Sequence, residues 1–526
     1  MNQRTPVVAA TLFLLSTPGL ADKLEPDDLA GPAPEVAPHT AKIDLPAMPA
    51  FELPPVAPGA HSARELRVRG KSLLGSELKV EGYVTAIYDC IAALAVTNPK
   101  ATRAQIVASV DKNPALCEPA KLYLGDRKDT ARERSIWVVD VPRAPGKAER
   151  QRMSRAELAA LPPVPRLAVG DYVAVTGTWN VQSPHHEHNG DGLLIYQALD
   201  RATPPDAGAA PVAASPAPEP EVAVVTRPPL RAAVDPKVRA ASVAHASQCY
   251  KEFEQRHYDP ALAACRSAVQ TWPGNHLAWY ASASAHMAKD EWPAAQADVE
   301  HAVALRPDLA MYQLYDGIAK YEAERARIRD ELAQRDHKTP DEVTINPALL
   351  KLEPAKAALA RAAVLDPALW RAHFYLSRVY RDLDDPRREA EQLAQTIATH
   401  PAYRFGYLAL SDLYRRWDAH DAAIAVALRG TAQVAPADAP ELWFAAGLSY
   451  EAKHADDQAI DAFSKMIAGV PDDASAKLHR AQSYLRKAAL ADAKRDLDAV
   501  IASSDPRAAA LRPVAVQLLA QIARRQ

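Results

Sequence analysis

Hydrophobic residues fall along this chain in two kinds of run, separated by stretches with no apolar period. Between 63 and 201 they gather in short runs rich in Val, Ile, Tyr and Trp, the composition of half-buried strands. The runs predict strands at Leu78–Tyr88, Lys121–Gly125, Ile136–Val141, Tyr172–Val181 and Leu193–Leu199. A short helix is expected between the third and the fourth, where Ser154 and Glu157 form a capping box around Ala156, with Leu158 and Leu161 following. The excursion from Ile91 to Leu116 is partly helical in pattern, with Ile106, Val107 and Val110 spaced as a face. After 242 the apolar positions sit on paired helical faces. Residues 507–526 read as a last helix with Ala510, Leu511, Val514, Val516, Leu518, Leu519 and Ile522 on its buried side, ending in Arg524, Arg525 and Gln526.

No apolar period runs through 22–62 or 202–236, and each holds nine prolines. They predict a disordered, extended spacer and a semi-rigid linker partly of polyproline II character. The chain is thereby cut into folded blocks at 63–201 and 237–526. The first 21 residues carry Arg4, an apolar core from Val7 to Leu15, and Gly19 and Ala21 ahead of a cut before Asp22. That is the layout of a secretory signal, with a core too short to span a bilayer. The alternative is an uncleaved anchor.

Prolines also mark a period in the second block. Pro273, Pro307, Pro367, Pro401, Pro436, Pro471 and Pro506 are separated by 34, 60, 34, 35, 35 and 35 residues, the long gap being one period with an insertion. The repeat ending at Pro471 shows Trp443, Gly447 and Tyr450 on a first helix, then Ala459, Phe463 and Pro471 on and after a second. Small residues let the two helices touch: Gly447 and Ala459 here, Ala283, Ala295 and Ala302 in the repeat ending at Pro307. Trp279, Tyr380, Tyr414 and Tyr484 fill the space around such contacts on other first helices. Proline stops the second helix because it has no amide donor and clashes with the preceding turn.

With this period and pattern, residues 242–506 are similar to tetratricopeptide repeats (TPRs). The resemblance implies an all-α solenoid of seven hairpins, at 242–275, 276–309, 310–369, 370–403, 404–439, 440–473 and 474–506, closed by the last helix. The third repeat departs from the family: its charged first helix stretches from about Met311 to Arg335, with an insertion at 322–349 that is either a contact arm or a solvated projection. The first repeat is the weakest match. The block at 63–201 resembles OB-fold domains by element order only, three strands, a helix, then two strands. A small barrel or sandwich of another type is the alternative.

The TPR resemblance also implies a binding face, the concave side lined by first helices. By motif position it holds Arg371, Phe374, Arg378 and Arg381 of the fourth repeat and Phe405, Leu408, Asp412, Arg415 and Arg416 of the fifth. Glu441, Phe444, Leu448 and Glu451 follow in the sixth. Arginine forks match carboxylates, so the expected ligand is a protein segment carrying acidic residues. A merely solvated arginine face is the alternative. The lysine–asparagine clamp of chaperone-binding members is absent.

Composition narrows the function. With 44 prolines, only 19 glycines and a net charge of −3 in 526 residues, the chain is neither collagen-like nor built to hold a nucleic-acid backbone. Four cysteines in an exported chain point to disulfides, Cys90 with Cys117 and Cys249 with Cys265; the second pair could instead be two buried thiols. His185, His186, Glu187 and His188 are zinc- or copper-ligand types, but they are adjacent on a loop tip and lack the H-E-x-x-H spacing, so a metal site is not expected. There is no nucleophile motif, phosphate loop or dinucleotide fingerprint, so neither an enzyme nor a cofactor is expected. The expectation is a non-enzymatic interaction scaffold exported to a Gram-negative-type envelope, periplasmic, at the cell surface or secreted. A glycan or peptide ligand for the β-rich block is the second reading. Nucleic-acid binding by that block, or metal-dependent catalysis at the histidine loop, come after it.

Overall fold

The structure is a computed structural model that describes residues 42–98, 101–205, 212–213 and 234–525. The signal-like stretch 1–21 lies outside the described residues. Packing divides the chain into two compact units, Met1–Ile43 with Pro216–Pro401 and Asp44–Ser215 with Ala402–Gln526.

The β-rich block belongs to the second unit. Its elements are β1 (Glu52–Leu53), β2 (His61–Ser62), α1 (Ala63–Arg69), β3 (Glu77–Ile87), α2 (Cys90–Thr97), α3 (Arg103–Lys112), β4 (Leu122–Gly125), β5 (Ile136–Val139), α4 (Lys147–Arg152), α5 (Arg155–Ala159), β6 (Tyr172–Gln182), β7 (His188–Arg201) and β8 (Val212–Ala213). Six strands form one mixed sheet in the order β2-β3-β4-β5-β7-β6, and β6 also pairs with β3. The β5–β7 and β2–β3 pairs are parallel and the others antiparallel. Alternate residues point inward, as the two-residue side-chain period requires. Leu78, Val80 and Val84, Leu122 and Leu124, Ile136 and Val138, and Val173, Val175 and Trp179 meet in one core.

Three expectations for this block need correction. Residues 42–62 do not all stand apart as a spacer: Phe51 and Leu53 are buried, and β1 pairs with β8 from within the expected linker. The helix that fills the core is α1, which has no prominent pattern in the sequence. Ser62 caps it by accepting a hydrogen bond from the Glu65 amide, and Ala63 and Leu66 are fully buried. The capping box at Ser154 and Glu157 does form, but α5 stays short, with Ala156 and Leu161 exposed. In the excursion α2 and α3 are helical, Ile106 is buried and Val107 exposed, and Cys90 is bonded to Cys117.

Among the described residues, seven helix hairpins follow along the chain. The first unit holds α6 (Pro236–Glu254) with α7 (Tyr258–Thr271), α8 (His276–Ala288) with α9 (Trp292–Leu305), α10 (Ala310–Asp336) with α11 (Glu353–Leu365), and α12 (Trp370–Asp382) with α13 (Pro386–Thr399). The second holds α14 (Arg404–Arg416) with α15 (His420–Thr431), α16 (Ala439–Ala452) with α17 (Asp456–Gly469), α18 (Ala474–Arg486) with α19 (Leu490–Ala502), and the last helix α20 (Arg512–Arg525). Cys249 of α6 and Cys265 of α7 are both fully buried and bonded to each other, so the two-thiol alternative falls. The insertion is no solvated projection. Ile328, Leu332 and Ala333 of the long α10 are buried, as are Val343, Leu350 and Leu352 of the segment after it. On the last helix Val514 and Val516 face outward, and the buried positions are Ala515 and Ile522, seven apart on one helical face; in the short turn before it Ala508 is buried and Ala510 exposed.

Every hairpin turn repeats one backbone device. Arg256, Asp290, His337, Asp384, Asp418, His454 and Ala488 all have positive φ, between 51° and 62°. The next amide reaches back to the helix, as Ala419 does to Tyr414 O and Ala489 to Tyr484 O, both at 2.9 Å. This is a left-handed helix C-cap, a position that favours glycine. The chain places Asp, His, Arg or Ala there. The exposed Ala488 has no polar side chain to ease the strain, so Ala488→Gly should stabilise its unit by about 1 kcal/mol in urea unfolding.

Candidate functional site

In the first unit, rings on successive first helices meet one another. Tyr280 of α8 stacks on Tyr312 of α10 with centroids 4.9 Å apart, and lies 4.8 Å from Tyr315. His276 Nδ1 is 2.7 Å from the Tyr312 hydroxyl. Further along α10, Tyr321 is edge-on to Tyr375 of α12 at 6.5 Å. The Arg378 guanidinium of α12 lies over both rings, 4.9 Å from Tyr321 and 5.1 Å from Tyr375. Arg325 covers Tyr321 at 5.4 Å. Cations and rings therefore alternate, an arrangement that gains strength when water is excluded.

Charges on this face are matched one by one. Arg378 Nη1 donates to Glu322 Oε1 at 2.8 Å. Arg325 Nη1 and the Tyr321 hydroxyl both donate to Asp382 Oδ2, at 2.6 and 2.7 Å. Burial works against the charge on Arg378, but Glu322 and the two tyrosines outweigh it and hold the group protonated far above the ordinary arginine range. Burial alone is the main cause that pushes the Tyr375 hydroxyl up to about 12. Arg378 and Tyr375 thus each keep one protonation state across the physiological range.

The sequence-predicted residues fall in both units. In the first, Arg371 and Phe374 are buried, at 5% and 8% exposure, and the Arg371 Nε has no hydrogen-bond partner among the described residues. The Arg371 guanidinium lies over the Trp370 ring at 5.3 Å. Arg381 Nε donates to Glu389 at 2.8 Å. In the second unit Asp412 accepts from both Arg415 and Arg416, at 2.6 and 3.2 Å, so these two arginines share a carboxylate of their own helix. Phe405 lies under the Arg404 guanidinium at 4.5 Å, and Leu408 is half-buried. Phe444 packs against Phe463 and His479, each at 5.8 Å. Glu451 accepts from His479 and Arg486, while Glu441 is exposed and Leu448 half-buried. The tyrosines were missed. A register signal exists for two of them: Tyr280 stands seven residues after Pro273, as Phe374 does after Pro367, and Tyr321 stands fourteen after Pro307, as Arg381 does after Pro367.

The histidine loop is placed differently from a metal centre. His185 Nδ1 meets Asp140 Oδ1 at 2.7 Å on the surface, and His188 begins β7. Glu187 pairs instead with Lys121, at 2.7 Å, and Lys121 lies 5.5 and 5.3 Å from the Tyr88 and Trp137 ring centroids. Among the described residues no group of three or more His, Cys, Asp or Glu is set to hold a metal ion, and no helix is long and apolar enough to cross a membrane.

The hairpins and their 34-residue step decide the architecture. The helical segment is a TPR-like array. No family model and no curated protein matches the chain. Among solved structures it is similar to the MamA protein, at 16% identity over 37% of this chain and 91% of that one, with a TM-score of 0.30. It is similar to pilF of Pseudomonas aeruginosa, at 15% identity over 48% of this chain and 99% of that one, with a TM-score of 0.35. A tetratricopeptide repeat protein from Parabacteroides merdae matches at 10% identity over 54% of this chain and 99% of that one, with a TM-score of 0.34.

Proposed function

We propose that the protein is an exported, non-enzymatic scaffold of a bacterial cell envelope, which captures a protein partner on the first-helix face of its TPR-like array. The observation that carries this is the TPR-like array of helix hairpins, whose α12 carries the partly exposed side chains of Arg378 and Arg381. Arginine and tyrosine are the residue types that dominate binding energy at protein interfaces. The signal-like first 21 residues and two bonded cysteine pairs support an oxidising compartment outside the cytoplasm. A partner segment with carboxylates suits the arginines of α12.

We read the β-rich block as an OB-like barrel. The β3–β6 pairing closes β3, β4, β5, β7 and β6 into a ring of five with β2 outside it, and β5 and β7 run parallel, an arrangement that suits a five-stranded Greek-key barrel. The exposed α5 and core-filling α1 depart from the expected helix position. The cluster of Tyr88, Trp137 and Lys121 favours a second reading, in which this block stacks on a cell-wall sugar or peptide.

The test is a pull-down from envelope extracts with Arg378→Glu and Arg381→Glu made singly and together. Capture of the partner should fall at least tenfold in the Arg378 variant and weaken with added salt in the unaltered protein. Capture that withstands both reversals moves the partner site away from α12.

A further inference from the structure

We propose that the connector between β5 and β6, residues 140–171, rests on an anionic lipid surface, with its arginines at the headgroup phosphates and Leu161 and Val164 in the apolar boundary beneath them. The inference stands apart from the scaffold reading and adds a second contact to it.

The connector is long for a small block, and long ordered loops usually carry function. Its two short helices are well started yet add little to the core. At α4 Glu149 Oε2 accepts from the Gly146 amide at 2.7 Å, and at α5 Glu157 Oε2 accepts from the Ser154 amide at 2.6 Å. No residue of α5 is buried. Beyond it Pro162, Pro163 and Pro165 keep the chain out of a helix, so the aliphatic side chains there have no helical face to turn inward. Leu161, Val164 and Val169 stand 37%, 45% and 61% exposed.

Charge is the second observation. Residues 143–166 carry six basic side chains against two acidic ones, in a chain whose net charge is −3. Both carboxylates are already engaged. Glu149 accepts from Arg143 through both oxygens, at 2.6 and 2.7 Å, and Glu157 closes its capping box with Ser154. Arg150, Arg152, Arg155 and Arg166 are exposed, and none of these four side chains makes a hydrogen bond or ion pair among the described residues. Open cations and open aliphatic side chains thus follow one another on a single stretch of chain.

That combination favours lipid over other anions. Arginine lays its apolar stem along the boundary while the guanidinium reaches phosphate, and aliphatic side chains enter between the headgroups. Single-stranded nucleic acid is held by stacking on rings, and residues 140–171 contain no Phe, Tyr, Trp or His. An acidic protein surface would draw its affinity from aromatic anchors, which the connector lacks for the same reason, and exposed ion pairs alone add little. Each basic residue near an anionic leaflet is worth about fivefold in partition, so three together are worth about a hundredfold.

Vesicle co-sedimentation tests this with the chain from residue 22, since the apolar run Val7–Leu15 would associate with lipid by itself. The chain should pellet with vesicles of phosphatidylcholine mixed with phosphatidylglycerol, and bind vesicles of phosphatidylcholine alone at least about tenfold more weakly. Arg150→Gln, Arg152→Gln and Arg155→Gln together should lower binding to the anionic vesicles at least about tenfold. Leu161→Ser with Val164→Ser should lower it at least about threefold. All five side chains are exposed, so the urea midpoint should stay in place in both variants. No pelleting with anionic vesicles, equal binding to both kinds of vesicle, or anionic binding that either variant leaves unchanged would each overturn the proposal. So would soluble polyglutamate or single-stranded DNA that binds as tightly as the anionic vesicles at equal charge, because the connector would then be a general polyanion site. The Arg378→Glu pull-down is indifferent to all of these results, so the scaffold reading and this inference can fail separately.

Discussion

Asp418→Asn should lower the stability of the second unit by about 3 kcal/mol, seen as a fall in the urea midpoint with the slope unchanged. Asp418 sits in the left-handed turn between α14 and α15 and is largely buried. Arg64 Nη2 donates to it at 2.8 Å, Arg67 reaches it at 3.4 Å, and Arg134 also pairs with it. Asp126 is the second carboxylate nearby, accepting from Arg67 at 3.3 Å and from the Arg64 amide at 3.0 Å. Three guanidinium groups thus share two carboxylates. Neutralising Asp418 leaves the three against one, and the Arg134 pKa is already held down by burial and by its two arginine neighbours. Asparagine is the informative replacement because it keeps the shape and tolerates the left-handed backbone. Beside it, Phe51 packs edge-on to Trp417 at 5.3 Å, so the ion cluster and an aromatic contact together fasten the β-rich block to α14 and α15.

The same cluster makes the unit acid-labile in two separate windows. His420 is largely buried, with neither ring nitrogen hydrogen-bonded among the described residues, and burial, helped by Arg134, drives its pKa from 6.5 to about 4. The unfolded chain therefore binds a proton that the folded one refuses, and stability falls as pH drops from 6.5 towards 4, by about 3 kcal/mol in all. Asp418 acts lower. Burial opposes its ionisation, but Arg67, Arg134 and Arg64 outweigh it and hold its pKa below the ordinary value. Its contribution is fully present above about pH 4 and is lost only as pH falls through the depressed value. In urea titrations between pH 7 and 4, His420→Leu should flatten the upper window.

Which parts of this molecule could be read from residue order follows from how local their causes are. The proline period and the small-residue contacts are local, and both point to real hairpins: a Cβ on Gly447 would lie 2.5 Å from the Phe463 ring of its partner helix. The strands were legible because each needs only its own period. The left-handed turns were not, since their usual mark is glycine and this chain substitutes Asp, His, Arg and Ala. The tyrosine–arginine face was half legible. Arg378 follows from motif position, but Glu322 and Tyr321 lie at the edge of the insertion, where register is hardest to carry across. Asp418 with Arg64, Arg67 and Arg134 was out of reach, because its members are separated by hundreds of residues and only the fold unites them.

Gly192→Ala should cost the β-rich block about 3–5 kcal/mol, for two reasons that can be separated. Gly192 has φ of 106°, a conformation side chains rarely adopt, which contributes about 1–3 kcal/mol of strain. A Cβ there would also lie 2.1 Å from Trp179, a buried ring at 1% exposure whose Nε1 donates to Gly70 O at 2.8 Å. The ring cannot retreat without breaking that bond, and overpacking adds about 1–3 kcal/mol. Trp179→Leu alone removes core volume and the buried hydrogen bond, and should cost about 3 kcal/mol by itself. In that background the collision is gone, so Gly192→Ala should then cost only its backbone share. The double variant should therefore be more stable than the sum of the two single losses by about 1–3 kcal/mol in urea unfolding. Strict additivity would mean that Trp179 does not hold β7 in place, and that the strain at Gly192 is borne by the backbone alone.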